Sequence, residues 1–134
     1  MSESNLYRVI MPAGDLEVSR AFYATLLDQP GLPISGGRHY FRCGGVVLAV
    51  YSPAGDGDSD TPRANFGHVY FAVDDLDACF ARAQALECLD PSTGDGRLPM
   101  GEIATRPWGE RSFYAHDPFG NPLCFVDAAT LFRG

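Results

Sequence analysis

Apolar positions along this chain fall into two spacings. Leu16, Ser19, Phe22, Tyr23, Leu26 and Leu27 recur at intervals of three and four, and Leu76, Cys79, Phe80, Ala83 and Leu86 do the same further on. That period places one stripe along one side of an α-helix. Each stretch is introduced by an aspartate suited to capping, Asp15 and Asp75, with Glu17 and Asp77 in the first turn at the positive end of the helix dipole. The other apolar runs are short, rich in β-branched and aromatic residues, and bounded by Gly, Pro or Asp, which predicts strands.

The two spacings repeat together. "RVIMPAGDLEVSRAFY" (8–23) matches "HVYFAVDDLDACFARA" (68–83) sixty residues later, and "GGVVLAVY" (44–51) matches "FGNPLCFV" (119–126) seventy-five residues later. The fifteen additional residues of the second copy fit a loop around "LDPSTGDGRLPMG". Between helix and last strand each copy has room for two more strands, "LPIS" and "HYFRC" in the first, "GEIATRP" and "ERSFYAH" in the second. The prediction is an α+β fold of two βαβββ modules, at about 5–52 and 66–128, joined by the polar linker "SPAGDGDSDTPRAN" at about 53–65.

Bulk composition narrows the setting. At 134 residues and 46% hydrophobic, the chain suits one compact domain with a real core. A net charge of −7 and a pI near 4.7 repel polyphosphate and argue against nucleic acid or an anionic membrane as partner. No apolar run approaches the roughly 20 residues of a membrane helix, and "MSESNLYRVIM" lacks a basic segment followed by an apolar one, so a cytoplasmic location is expected. Cys43, Cys79, Cys88 and Cys124 form no C-x-x-C pair and are expected to be reduced thiols.

The motifs "DLEVSRAFY", "GHVYFAVDDLD" and "RSFYAHDPFGNPLCFVD", in this order, resemble the vicinal oxygen chelate superfamily of glyoxalases, bleomycin resistance proteins and extradiol dioxygenases. The resemblance covers nearly the whole chain and implies sheets that curl into a ligand-holding cup. One such scaffold carries many activities, so it does not choose a reaction.

The resemblance also implies where a metal would sit. Metal-dependent members hold a divalent ion with residues of the first and last strands of each module, and the repeat assigns those positions here to Arg8, Ala49, His68 and Cys124. An iron(II) site commonly needs two histidines and a carboxylate, and zinc three or four protein ligands. Arg8 has no lone pair to give and Ala49 no donor atom, so no metal ligand and no cofactor are expected, with a divalent metal at His68 and Cys124 as the alternative. "DGDSD" (56–60) has the alternating acids of a calcium loop, but Thr61 and Gly67 stand where glycine and glutamate belong, which makes it a solvated linker. His39 and His116 are read as ordinary surface or structural histidines.

Strand alternation adds Leu6, Ile10, Val47, Tyr51, Tyr70, Ala72, Pro122 and Val126 to the face of those four positions. The result is an apolar pocket with an arginine, a histidine and two phenols, a composition suited to a small organic ligand. Arg8 calls for an anionic ligand, an internal carboxylate such as Glu102 or Glu110, or a side chain that snorkels out to water. Trp108, between a proline and a glycine, suits a loop at the mouth, stacking on a flat ligand or packing at a subunit contact, while Arg106 or Arg111 could hold the ligand's negative groups. The leading expectation is a metal-independent small-molecule binder that forms a homodimer. The alternative is an enzyme (lyase, isomerase or dioxygenase) in which His68 is an acid or base, or a metal ligand.

Overall fold

The computed structural model describes residues 2–93 and 99–134. The chain divides after Asn65 into two compact units. Module one contains β1 (Arg8–Pro12), α1 (Leu16–Leu26), β2 (Leu32–Pro33), β3 (Arg38–Cys43) and β4 (Val46–Tyr51). Module two contains β5 (Val69–Val73), α2 (Leu76–Ala85), β6 (Ala104–Thr105), β7 (Arg111–His116) and β8 (Pro122–Asp127). Each set forms a four-stranded sheet, in the orders β1-β4-β3-β2 and β5-β8-β7-β6, so the α+β class and the doubled βαβββ order both stand. In each sheet the first strand runs parallel to the last, and the other pairings are antiparallel.

The helices begin where their caps require. Asp15 accepts the Val18 amide at 3.1 Å and Asp75 the Ala78 amide at 3.0 Å, each supplying one of the acceptors that a helix start lacks. Ser19, Phe22, Tyr23 and Leu26 of α1, and Leu76, Cys79 and Ala83 of α2, are buried. Under α2 the sheet presents three phenylalanines side by side. Phe71 and Phe113 flank Phe125 with ring centroids 4.9 and 5.3 Å away and near-parallel planes, and Phe80 of the helix meets Phe113 edge-on at 5.3 Å. In module one α1 packs on β3 and β4, over Phe41, Leu48 and Val50.

The differences from expectation lie at edges. β2 and β6 shrink to two residues each. Pro33 has no N–H to extend a ladder. The "DGDSD" run is anchored rather than merely solvated. Asp56 accepts the Gly37 amide at 2.7 Å and pairs with Arg38, while Asp58 accepts the Tyr51 hydroxyl. The loop expected across 89–101 falls partly outside the described residues, which stop at Thr93 and resume at Pro99. Beyond β8, residues 128–134 fold back over module two, a segment for which no structure was expected.

Candidate functional site

Each sheet has its helix on one face, and alternation sends the other half of its side chains to the opposite, open face. Register orders these into rows. In module one they are Arg8, Val47 and Arg42, then Ile10, Ala49 and Tyr40, then Pro12, Tyr51 and Arg38. In module two Tyr70, Cys124 and Tyr114 form one row and Ala72, Val126 and Ser112 the next. His68, one residue ahead of β5, adjoins the pair Pro122 and His116.

Arg8 is exposed, and among the described residues it forms no ion pair, so the carboxylate partner considered from sequence is not found. Its guanidinium lies over the rings of Tyr7, at 5.1 Å, and Tyr40, at 5.6 Å. Tyr40 is two strands away, so the side chain runs across β4 to reach it, where Ala49 is fully buried. Tyr51 is no free phenol: its hydroxyl bonds Asp58, which holds the phenol above its ordinary pKa, and the Arg38 guanidinium sits 4.1 Å from its ring.

In module two, His68 is exposed and its ring meets Tyr114 edge-on at 5.1 Å and Tyr70 at 6.2 Å. Partial desolvation lowers its pKa and the charge of nearby His116 adds to this, against an opposing pull from Asp90. His116 was not expected near His68; the β7–β8 register brings it there. Cys124 is 1% exposed and forms a small apolar cluster with Tyr114 and Val126, against which Met100 and Leu131 pack. Burial pushes its thiol up to about 11.

Trp108 is half bare, as a mouth loop requires, but the arginines beside it are spent. Arg106, 4% exposed, donates to the carbonyls of Pro99, Met100, Glu102 and Ser112 and to the Ser112 hydroxyl, with its guanidinium 5.0 Å from the Tyr114 ring. Arg111 holds Asp77 at 2.9 Å and Asp127 at 3.4 Å. Neither is placed to grip a ligand's negative groups, which corrects the reading of Arg106 as a ligand-binding residue. A charged residue in a turn-rich segment looks solvent-exposed in sequence, and only the fold reveals the carbonyls gathered around it.

A groove in module two has a volume of about 400 Å³ and is walled by Tyr70, Trp108, Phe132, Leu131 and Val126, with Glu110 the acid among its lining residues. Glu110 sets the walls: one oxygen accepts the Trp108 indole N–H at 2.8 Å and the other the Phe132 amide at 3.0 Å. Thr130 ties the same segment down, accepting the Arg111 amide at 3.0 Å and donating to the Asp127 carbonyl at 2.8 Å. Leu131 and Phe132 were missed from sequence because 128–134 has no counterpart in the first copy of the repeat, and Glu110, considered there as a partner for Arg8, holds Trp108 and the Phe132 amide instead.

Residues 6–125 match the family model of the Glyoxalase/Bleomycin resistance protein/Dioxygenase superfamily. The chain belongs to this superfamily. Among solved structures, a lactoylglutathione lyase from Agrobacterium tumefaciens is 25% identical with a TM-score of 0.68, the match covering 95% of this chain and 96% of that one. Oxidase ChaP-H2 is 28% identical with a TM-score of 0.70, covering 94% of each chain. A glyoxalase/bleomycin resistance protein from Albidiferax ferrireducens T118, 22% identical over 91% of this chain and 97% of its own, shares the fold at a TM-score of 0.70. No curated protein matches.

The superfamily's metal-dependent members raise the question of a divalent ion, and the donor set answers it poorly. Arg8 brings a fixed positive charge, Ala49 is a buried methyl, and Cys124 is a buried thiol against whose cluster Met100 and Leu131 pack. Only His68 offers a ready lone pair, and among the described residues no group of three or more His, Cys, Asp or Glu is arranged to hold a metal. The superfamily's metal site does not fit these side chains.

Proposed function

We propose that the protein binds a small planar aromatic compound, without a metal ion, in the groove of module two. The observation that carries this reading is the set of bare aromatic surfaces around that groove: Tyr70, Trp108 and Phe132 remain 58%, 46% and 61% exposed while facing a cavity large enough for a bicyclic molecule. Glu110 holds the Trp108 indole and the Phe132 backbone, and Thr130 ties down the segment that carries Phe132, so part of the wall is preorganised. Trp108 is the chain's single tryptophan and reports on the site directly. Titration with 2-naphthol should perturb its fluorescence in a saturable way, and Trp108→Ala, followed by calorimetry, should weaken binding about tenfold. Absence of saturable binding up to millimolar probe, or equal affinity in the variant, overturns the reading.

Homodimer formation in the cytoplasm belongs to the same proposal. It is supported by the bare apolar side chains of Leu6, Tyr7 and Phe66 and by four free thiols, which suit a reducing compartment. Native mass spectrometry of untagged protein, before and after zinc, nickel, manganese and iron(II), reads subunit number and bound metal together; a stoichiometric metal lost in His68→Ala would refute the metal-free reading.

One observation favours a second reading, catalysis with His68 as general acid or base: its imidazole is exposed and braced against the Tyr114 ring. Any compound retained by the purified protein should then be converted to product, and His68→Ala should abolish the conversion. Full turnover in that variant removes the role.

A further inference from the structure

We infer that the open face of module one holds a small organic dianion between Arg8 and Arg42. This site is built from module one alone, and the aromatic groove from module two alone. Arg8 and Arg42 flank Val47 in one row of the sheet, on opposite neighbouring strands, so their Cα atoms are about 10 Å apart, two strand spacings. Both side chains point to the open face, because Val9 and Phe41, their neighbours in sequence, point to the helix side with Leu48. Neither guanidinium has an ion-pair or hydrogen-bond partner among the described residues. Asp56, Asp58 and Asp60 gather two rows away at the Tyr51 and Arg38 end, where Asp56 and Asp58 are engaged. Two uncompensated cations thus stand together on a protein of net charge −7.

Tyr7 and Tyr40 act as positioning residues. Their rings hold the Arg8 guanidinium across the sheet toward the Arg42 strand, which limits the rotamer freedom that anion capture would otherwise cost. A guanidinium fork matches two oxygens of a phosphate or carboxylate, and two forks on one face match a doubly charged group.

The second module repeats the construction. Its equivalent row places His68 and His116 on either side of Pro122, and His68 lies against Tyr114 as Arg8 lies against Tyr40. Two basic side chains flanking the last strand, with a tyrosine one row on, therefore occur at corresponding positions of both copies.

The test is calorimetry with phenyl phosphate as dianion and benzoate as monoanion, at low ionic strength, on the full chain. Phenyl phosphate should bind at least about tenfold more tightly than benzoate, and Arg8→Met or Arg42→Met should each weaken it by about tenfold or more. Both positions are exposed, so circular dichroism should show unchanged folding. Arg20→Met, which removes an arginine already paired with Glu17 on α1, should leave binding unchanged. The inference falls if phenyl phosphate does not bind, if Arg42→Met binds it like the parent, or if Arg20→Met weakens it equally. Trp108→Ala should not alter phenyl phosphate affinity, which keeps this outcome distinct from the fate of the aromatic groove.

Discussion

Arg106 shows how much of module two can hang on one side chain. Its guanidinium donates to four carbonyls, those of Pro99, Met100, Glu102 and Ser112, and so ties the chain around β6 to β7. Arg106→Met should therefore cost about 3 kcal/mol or more in urea denaturation, because several acceptors lose a charged, buried donor at once. Arg106→Lys should recover little of it, since a single ammonium cannot reach so many acceptors. An unchanged midpoint for either variant would mean that water replaces the guanidinium easily. None of this was legible in the sequence, where Arg106 reads as a ligand contact. Cys124 is placed by the repeat on the same face as His68, whereas its burial beside Tyr114 and Val126 shows only in the fold. The nearness of His116 to His68 was not legible, because it depends on two strand pairings at once.

The stacked phenylalanines of β5, β7 and β8 form the floor under α2. Phe125 is central and fully buried, so Phe125→Ala should destabilise the protein by about 3–5 kcal/mol, from lost burial plus the cavity left behind. At the end of α2, Glu87 adopts φ 55° in the left-handed region, where glycine carries no Cβ penalty. Glu87→Gly should raise stability by about 0.5–1 kcal/mol, read as a rise of a few degrees in melting temperature; a fall would show that the side chain contributes more than its strain. Helix positions were readable because their period and capping aspartates agree. The edges β2 and β6 were over-read, because strand-like composition says nothing about whether a neighbour is there to pair with.

Across the whole chain, buried thiols set a limit in alkali. Burial pushes Cys79, Cys88 and Cys124 each from an ordinary value of 9.0 up to about 11. The native state thus keeps protons that the unfolded chain releases, so this contribution to stability is complete below about pH 9 and drains away as pH rises toward about 11. Denaturation midpoints should fall across that window, and Cys88→Ser should flatten the fall; a midpoint indifferent to pH there would contradict the assignment. At this scale the repeat carried most of the information, since two copies of one pattern imply the architecture without any single residue being decisive. The repeat is silent on residues 128–134, which follow the second copy and match nothing in the first. Yet Leu131 and Phe132 form part of the groove wall, with Phe132 tethered through its amide to Glu110. Anything fused after Gly134 starts two residues from that wall, so an affinity handle placed there would crowd the binding surface under assay. A handle ahead of Ser2 keeps its distance from Leu131 and Phe132 along the chain, and comparing naphthol affinities of the two fusions would measure how far the groove depends on its last few residues.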